Sequence, residues 1–261
     1  MMWRHMSGAG NTFIVADRRD KTVLLSTTEA KDFITSHQRP DGSVIEGMLT
    51  IDQTAVGHIV GTYYNPDGSR GMMCGNGARC LVRMAMDLDQ AIESSNVQLT
   101  LNNVTYPVRR IDADRVAITF GPPHSIQRFD IGELENVDVA VTYINVNSDH
   151  VVIDGPREAR RPIVQTLRYH VNFPRGVNVN MVDHISDSTW HIATFERGVE
   201  AVTGACGTGA IASAIALYLE GRTGIESDFI PPSGRPLHVS LTTTNSAIHS
   251  AILTGDTQYD F

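Results

Sequence analysis

Cys74-Gly75-Asn76-Gly77-Ala78 recurs, close to half a chain later, as Cys206-Gly207-Thr208-Gly209-Ala210. Each copy runs into a segment that is helical in composition and apolar or small nearly all round, Gly77–Leu88 and Gly209–Leu219. Such a helix is buried on several sides. The register extends upstream. Asn65 and Arg197 stand equally far ahead of their cysteines, each at the end of a strand-like run, and Gly10-Asn11 and Val177-Asn178 precede short apolar runs in similar places. The pattern predicts two copies of one α/β unit, each wrapping strands around a central helix that carries a cysteine at its N-terminus.

Val/Ile/Thr-rich runs with partial alternation read as strands: Val97–Leu101, Val104–Arg109, Val116–Phe120, Val137–Val146, Trp190–Phe195, Leu237–Thr242 and Ala247–Leu253. Thr28–His37 and Arg157–His170 read as amphipathic helices. A chain of 261 residues accommodates one large domain or two of about 130 residues. The polar break at Asp112–Asp114 puts the switch there. It divides the chain into residues 1–113 and 114–249, with a last strand from about residue 250 returning to the first half.

The bulk chemistry excludes several classes. A formal net charge of −8 argues against nucleic acid and against an anionic membrane surface. The opening MMWRHMSGAGNTF has no apolar signal core, and no run is long enough to span a bilayer, so a cytoplasmic enzyme is expected. Three cysteines without framework spacing suggest neither a disulfide scaffold nor a zinc site. Only Lys21 and Lys31 are lysines, against nineteen arginines, and neither lies in a Gly-rich motif. A pyridoxal Schiff base and a phosphate-binding loop both need such a lysine. The full G-x-G-x-x-G dinucleotide fingerprint is missing. The expectation is an enzyme with neither cofactor nor metal.

A cysteine just before a helix meets unpaired backbone N–H groups and the positive end of the helix dipole. Both favour the thiolate. The glycines allow close approach of a ligand, and a helix N-terminus is a carboxylate site. Two such ends could hold one carboxylate and present a sulfur from each side. Moving a proton from one face of an α-carbon to the other needs a base and an acid, roles that a thiolate and a thiol can exchange. The N–H groups would stabilise charge developing on the carboxylate. Cys80, inside an Ala/Leu/Met-rich helix, reads as an ordinary core residue.

At these residues the sequence resembles the diaminopimelate epimerase family. The resemblance rests on Met6-Ser7-Gly8-Ala9-Gly10-Asn11-Thr12-Phe13, Asn65-Pro66-Asp67-Gly68-Ser69, Met73 to Arg79, Glu196-Arg197-Gly198-Val199-Glu200 and Ala205 to Gly209, and spans nearly the whole chain. It implies two pseudosymmetric domains, each a curved, mainly antiparallel sheet around a central helix, with the site in the cleft between them. It also implies a homodimer, and interconversion of L,L- and meso-diaminopimelate on the way to lysine and peptidoglycan. Cys74 and Cys206 match the catalytic pair. Asn11, Asn65, Asn178, Glu196 and Arg197 match substrate-binding positions, with Arg197 suited to a bidentate carboxylate clamp. Gly75, Asn76, Gly207 and Thr208 match positions around the reacting carboxylate. His150 and Glu196 match groups that set thiol protonation.

The chain departs from the family at Thr12, at Glu46 in Val44-Ile45-Glu46-Gly47, and at Asp149, whose charge would raise thiol pKa values if it pointed inward. It is expected to point away. Three other readings stay open: a racemase of another amino acid, such as histidine, on the same scaffold; a thiol redox protein; and a non-catalytic binding module. Asn65 before Pro-Asp-Gly is also ordinary turn composition.

Overall fold

A computed structural model describes residues 2–71, 73–89, 92, 96–245 and 247–260. Two compact units divide the chain: residues up to Thr119 together with those from Thr254 onward, and Phe120–Leu253.

The first unit contains β1 (Met2–Gly8), β2 (Asn11–Asp17), α1 (Thr27–Ser36), β3 (Gly47–Ala55), β4 (His58–Tyr64), α2 (Gly75–Leu88), β5 (Val97–Leu101), β6 (Val104–Arg110) and β7 (Arg115–Phe120). The strands lie side by side in sequence order, with β2–β3 and β4–β5 parallel and the other neighbours antiparallel. Side chains alternate across a strand, and here both faces are covered. Ile14, Met48 and Tyr64 pack with Ala30 and Ile34 of α1. On the other face Gly77 of α2 rests on Phe13 and Leu49. Double-sided burial explains the short apolar run Phe13-Ile14-Val15-Ala16 that follows Asn11 in β2.

The second unit repeats the plan. It contains β8 (Ser125–Phe129), β9 (Val141–Asn145), β10 (Asp149–Asp154), α3 (Arg157–Arg168), β11 (Asn178–Ser186), β12 (Thr189–Glu196), β13 (Ala201–Val202), α4 (Gly207–Leu219), β14 (Glu226–Ile230) and β15 (Leu237–Thr244). The β9–β10, β11–β12 and β14–β15 pairs are antiparallel, while β10–β11 and β12–β14 are parallel. This is the succession of β1 to β6. Val151, Ile153, Val179 and Met181 pack under Ile163, Val164 and Leu167 of α3, and α4 lies against β9, β10, β11, β14 and β15. From β16 (Ala247–Asp256) the chain passes back to the first unit, where β17 (Gln258–Tyr259) pairs with β1.

Three expectations need correction. The Asp112–Asp114 break lies inside the first unit, as the β6–β7 turn, where Asp112 accepts from the Asp114 and Arg115 backbone N–H groups. The strand read at Val137–Val146 is only Val141–Asn145. Val137 and Val139 alternate because they are buried in the core beneath α3, not because they pair in a ladder. Asn11 and Asn178 are not equivalent. Asn11 opens β2, whereas Asn178 opens β11, the counterpart of β3.

The helix starts differ in kind. Ser26 and Glu29 close α1 with a reciprocal capping box, a device worth about 1 kcal/mol. At α2 and α4 the N-cap residues are Cys74 and Cys206, and neither side chain caps its helix. The first intrahelical bonds run from Ala78 N to Cys74 O and from Ala210 N to Cys206 O, so the first-turn N–H groups have no acceptor within either helix. Both cysteine helices forgo a capping side chain and keep an anion-binding end. Among the described residues, no helix is long and apolar enough to cross a membrane.

Candidate active site

Cys74 and Cys206 are half-buried and Cys80 is buried. Cys80 lies in α2 close beneath Gly8 of β1, as its core reading expects.

In the second unit Cys206 sits among polar groups. Its Sγ is 3.6 Å from Thr208 Oγ1. Thr208 Oγ1 is 3.0 Å from His150 Nε2, and Asn180 Nδ2 is 3.1 Å from His150 Nδ1. Burial pushes the His150 pKa down to about 3, with Arg197 acting in the same direction and Asn180 and Asp149 opposing. The ring is therefore neutral at physiological pH. Cys206 also hydrogen-bonds the carboxyl group of Glu196. Burial pushes that carboxyl up, while its bonds to Thr203 and Cys206 pull the other way. A carboxyl group with a raised pKa, bonded to a thiol, is placed to exchange a proton with it.

Beside this cluster, Arg197 Nη1 is held by Asp149 Oδ2 at 3.3 Å and by the carbonyls of Arg175 at 3.0 Å and Gly176 at 3.1 Å. Among the described residues, its Nε and Nη2 have no protein acceptor. That edge is the one that grips a carboxylate bidentately. Asn178 accepts from the Arg197 backbone N–H at 2.9 Å and donates to Ser148 Oγ and Asp149 O. The loop that carries Arg197 turns at Gly198, with φ +92°. Glu200 ties it down, accepting from Gly198 N, Arg168 and Tyr169.

Asp149 points away from the His150 face, since neighbours on a strand project to opposite sides. Burial alone would raise its pKa. Arg175, Tyr143 and Asn145 outweigh that and hold the carboxyl well below the usual carboxylate range. Its charge is thus used to orient the basic side chains.

In the first unit, the Ala9-Gly10 hairpin, with φ of +50° and +90°, brings Asn11 beside the start of α2. Asn76 Nδ2 donates to Asn11 Oδ1 at 3.0 Å, and Arg79 Nη2 donates to Asn76 Oδ1 at 2.8 Å. Asn11 in turn donates to Glu46, so the departure at Glu46 places a carboxylate against a predicted substrate amide. Thr12 donates to the Val44 carbonyl and shapes the same loop. Gly8 is required here, because a Cβ would lie 2.6 Å from Asn76 O. Asn65 closes its own turn through Ser69 Oγ at 3.0 Å, which matches its plainer turn reading. Among the described residues, no three His, Cys, Asp or Glu side chains are grouped for a metal ion.

The structure thus brings Cys206, Thr208, His150 and Glu196 together, joins Asn178 to Arg197, and joins Asn11 to Asn76. Gly75 and Gly207 are the first residues of the two helices. Sequence reading gave no role to Asn180, Thr194, Glu200 or the charge partner Arg175. The available signal for Asn180 was its period-two spacing from Asn178 in an otherwise apolar strand.

Residues 4–125 and 141–256 match the diaminopimelate epimerase family. The chain is 29% identical to the diaminopimelate epimerase of Hydrogenobaculum sp. (strain Y04AAS1), covering 92% of this chain and 91% of that one. It is 31% identical to that of Aquifex aeolicus (strain VF5), covering 84% and 81%. Among solved structures it resembles a Bacillus anthracis phenazine biosynthesis protein of the PhzF family, with TM-score 0.73, 12% identity and coverage of 99% and 96%. It also resembles a probable proline racemase from Agrobacterium radiobacter K84, with TM-score 0.65, 15% identity and coverage of 99% and 90%. At these identities the two structures establish the fold alone.

Proposed function

The chain belongs to the diaminopimelate epimerase family, and from that premise we propose that it is an isomerase interconverting L,L- and meso-2,6-diaminopimelate, without cofactor or metal, in lysine and peptidoglycan precursor synthesis. Cys74 and Cys206 are the acid–base pair. One thiolate removes the proton from the α-carbon. The electron pair left behind spreads onto the α-carboxylate, where first-turn N–H groups of the cysteine helices stabilise it. The other thiol then delivers its proton to the opposite face, and the two sulfurs exchange roles in the reverse direction.

The observation that carries this reading is the repeated cysteine at the N-cap of a buried helix. The Glu196 bond to Cys206 supports it, as a route for resetting that thiol's proton. Gly75, Asn76, Gly207 and Thr208 would surround the reacting carboxylate. The open edge of Arg197 would take the distal carboxylate, with Asn11, Asn65, Asn178 and Glu196 receiving the distal ammonium. Thiols that must stay reduced suit the cytoplasm. A homodimer is proposed from the family resemblance alone.

The test is incubation with L,L-diaminopimelate in deuterated water without added cofactor, following α-carbon deuterium and product stereochemistry. Deuterium should enter as meso product forms. No exchange on this substrate, with turnover of a different amino acid, would overturn the assignment. Unchanged turnover in Cys74→Ala or Cys206→Ala would refute the two-thiol mechanism.

A further inference from the structure

The second unit holds a buried chain of polar groups behind Cys206, and its hydrogens can be placed by elimination. The Val151 carbonyl can only accept. It lies 2.9 Å from Asn180 Nδ2, which identifies that end of the amide as the nitrogen. The other end, Oδ1, receives Thr194 Oγ1 at 2.8 Å. The same Asn180 nitrogen faces His150 Nδ1 at 3.1 Å, so Nδ1 is the acceptor and carries no proton. In a neutral ring the proton is then on Nε2. Nε2 lies 3.0 Å from Thr208 Oγ1 and donates to it. The Thr208 hydroxyl keeps one proton of its own, and Cys206 Sγ stands 3.6 Å away.

We infer that Asn180 is a positioning residue, which locks His150 in its Nε2–H form and thereby turns the Thr208 hydroxyl proton toward the Cys206 sulfur. A hydrogen bond donated to a thiolate favours the ionised form. His150 thus acts as a fixed neutral donor to Thr208, and its full burial keeps it from charging. The other titratable groups facing this chain are Glu196, bonded to Cys206, and Asp149 and Arg197, which act on His150.

The inference rests on the reading of Cys206 as an acid–base group, but its test needs no substrate. The first measurement is the 15N NMR tautomer of His150. The second is the pH profile of Cys206 alkylation by iodoacetamide, followed on the Cys206 peptide by mass spectrometry. Wild type should show the Nε2–H tautomer. Asn180→Asp presents a carboxylate oxygen to Nδ1, so the proton should move there and Nε2 should become an acceptor for the Thr208 hydroxyl. The alkylation midpoint should then rise by about one pH unit, the weight of a hydrogen bond to a charged group. Thr208→Val should raise it similarly without adding charge, and Thr208→Ser should restore it. A wild-type Nδ1–H tautomer, or a midpoint unmoved by Thr208→Val, would overturn the inference. Loss of epimerisation alone would move neither readout.

Discussion

Cys74 and Cys206 open the same helix twice, over different floors. Beneath α2, Gly77 rests on the side chains of Phe13 and Leu49. Beneath α4, Gly209 rests on those of Asn180 and Thr194. The second residue of each helix differs as well. Asn76 belongs to an amide ladder with Asn11 and Arg79, while Thr208 links Cys206 to His150. The repeat has therefore preserved where the sulfur stands but not what surrounds the helix start. At its third residue one helix rests on hydrocarbon, the other on a hydrogen-bonded Asn–Thr pair. The two thiols of the proposed acid–base pair can thus be tuned separately.

The largest effect that would test this contrast is removal of either sulfur. Cys74→Ala and Cys206→Ala should each lower kcat by about 10³-fold or more. In Cys74→Ala the alkylation profile of Cys206 should stay where it was, because its relay lies within one unit. A shifted profile would break the comparison.

Glu196→Gln comes next, with kcat falling about 10²-fold in a steady-state assay. Its effect on stability has the opposite sign. Burial raises the folded pKa of Glu196, so its contribution is fully present below the unfolded value near pH 4.3 and is lost as pH rises through the folded value. The Gln variant should therefore melt above wild type at neutral pH and converge with it near about pH 3.

Asp149→Asn should raise KM by about tenfold, more than it lowers kcat, because Arg197 loses its anchor. The folded pKa of Asp149 is lowered, so its stabilisation is present above the unfolded value near pH 3.9 and fades as pH falls. A cost of about 2 kcal/mol in denaturant titrations at neutral pH is expected, shrinking in acid.

The smallest effect compares the floors directly. Gly209→Ala would press a Cβ on Asn180 and Thr194, whereas Gly77→Ala would press on the flexible end of Leu49, 2.8 Å away, and on Phe13. The first should slow turnover about tenfold and the second less. Equal losses would show that the polar floor has no special part in the chemistry.

Much of this was legible from the residues. The doubled cysteine motif marked the two helix starts, and apolar composition all round marked α2 and α4 as central helices. Period-two runs marked β5, β6, β7, β12 and β15 to within a residue or two at each end. Other features were hidden because they depend on partners far along the chain. Asp149 points away as expected, but Arg175, Tyr143 and Asn145, which hold it there, come from other parts of the chain. Val137 and Val139 alternate like a strand because any half-buried segment does. Glu200 has no role readable from its own segment, because its partners Arg168 and Tyr169 lie on a distant helix end.

The sequence by itself determined the two-unit plan and the cysteine at each helix start. These follow from local patterns: side-chain period, glycine placement and the chemistry of a helix end. Only the tertiary structure decided which groups surround each helix start. The elements that deliver Phe13, Leu49, His150, Asn180 and Glu196 are set by strand pairing, and pairing is a long-range choice that no local window contains.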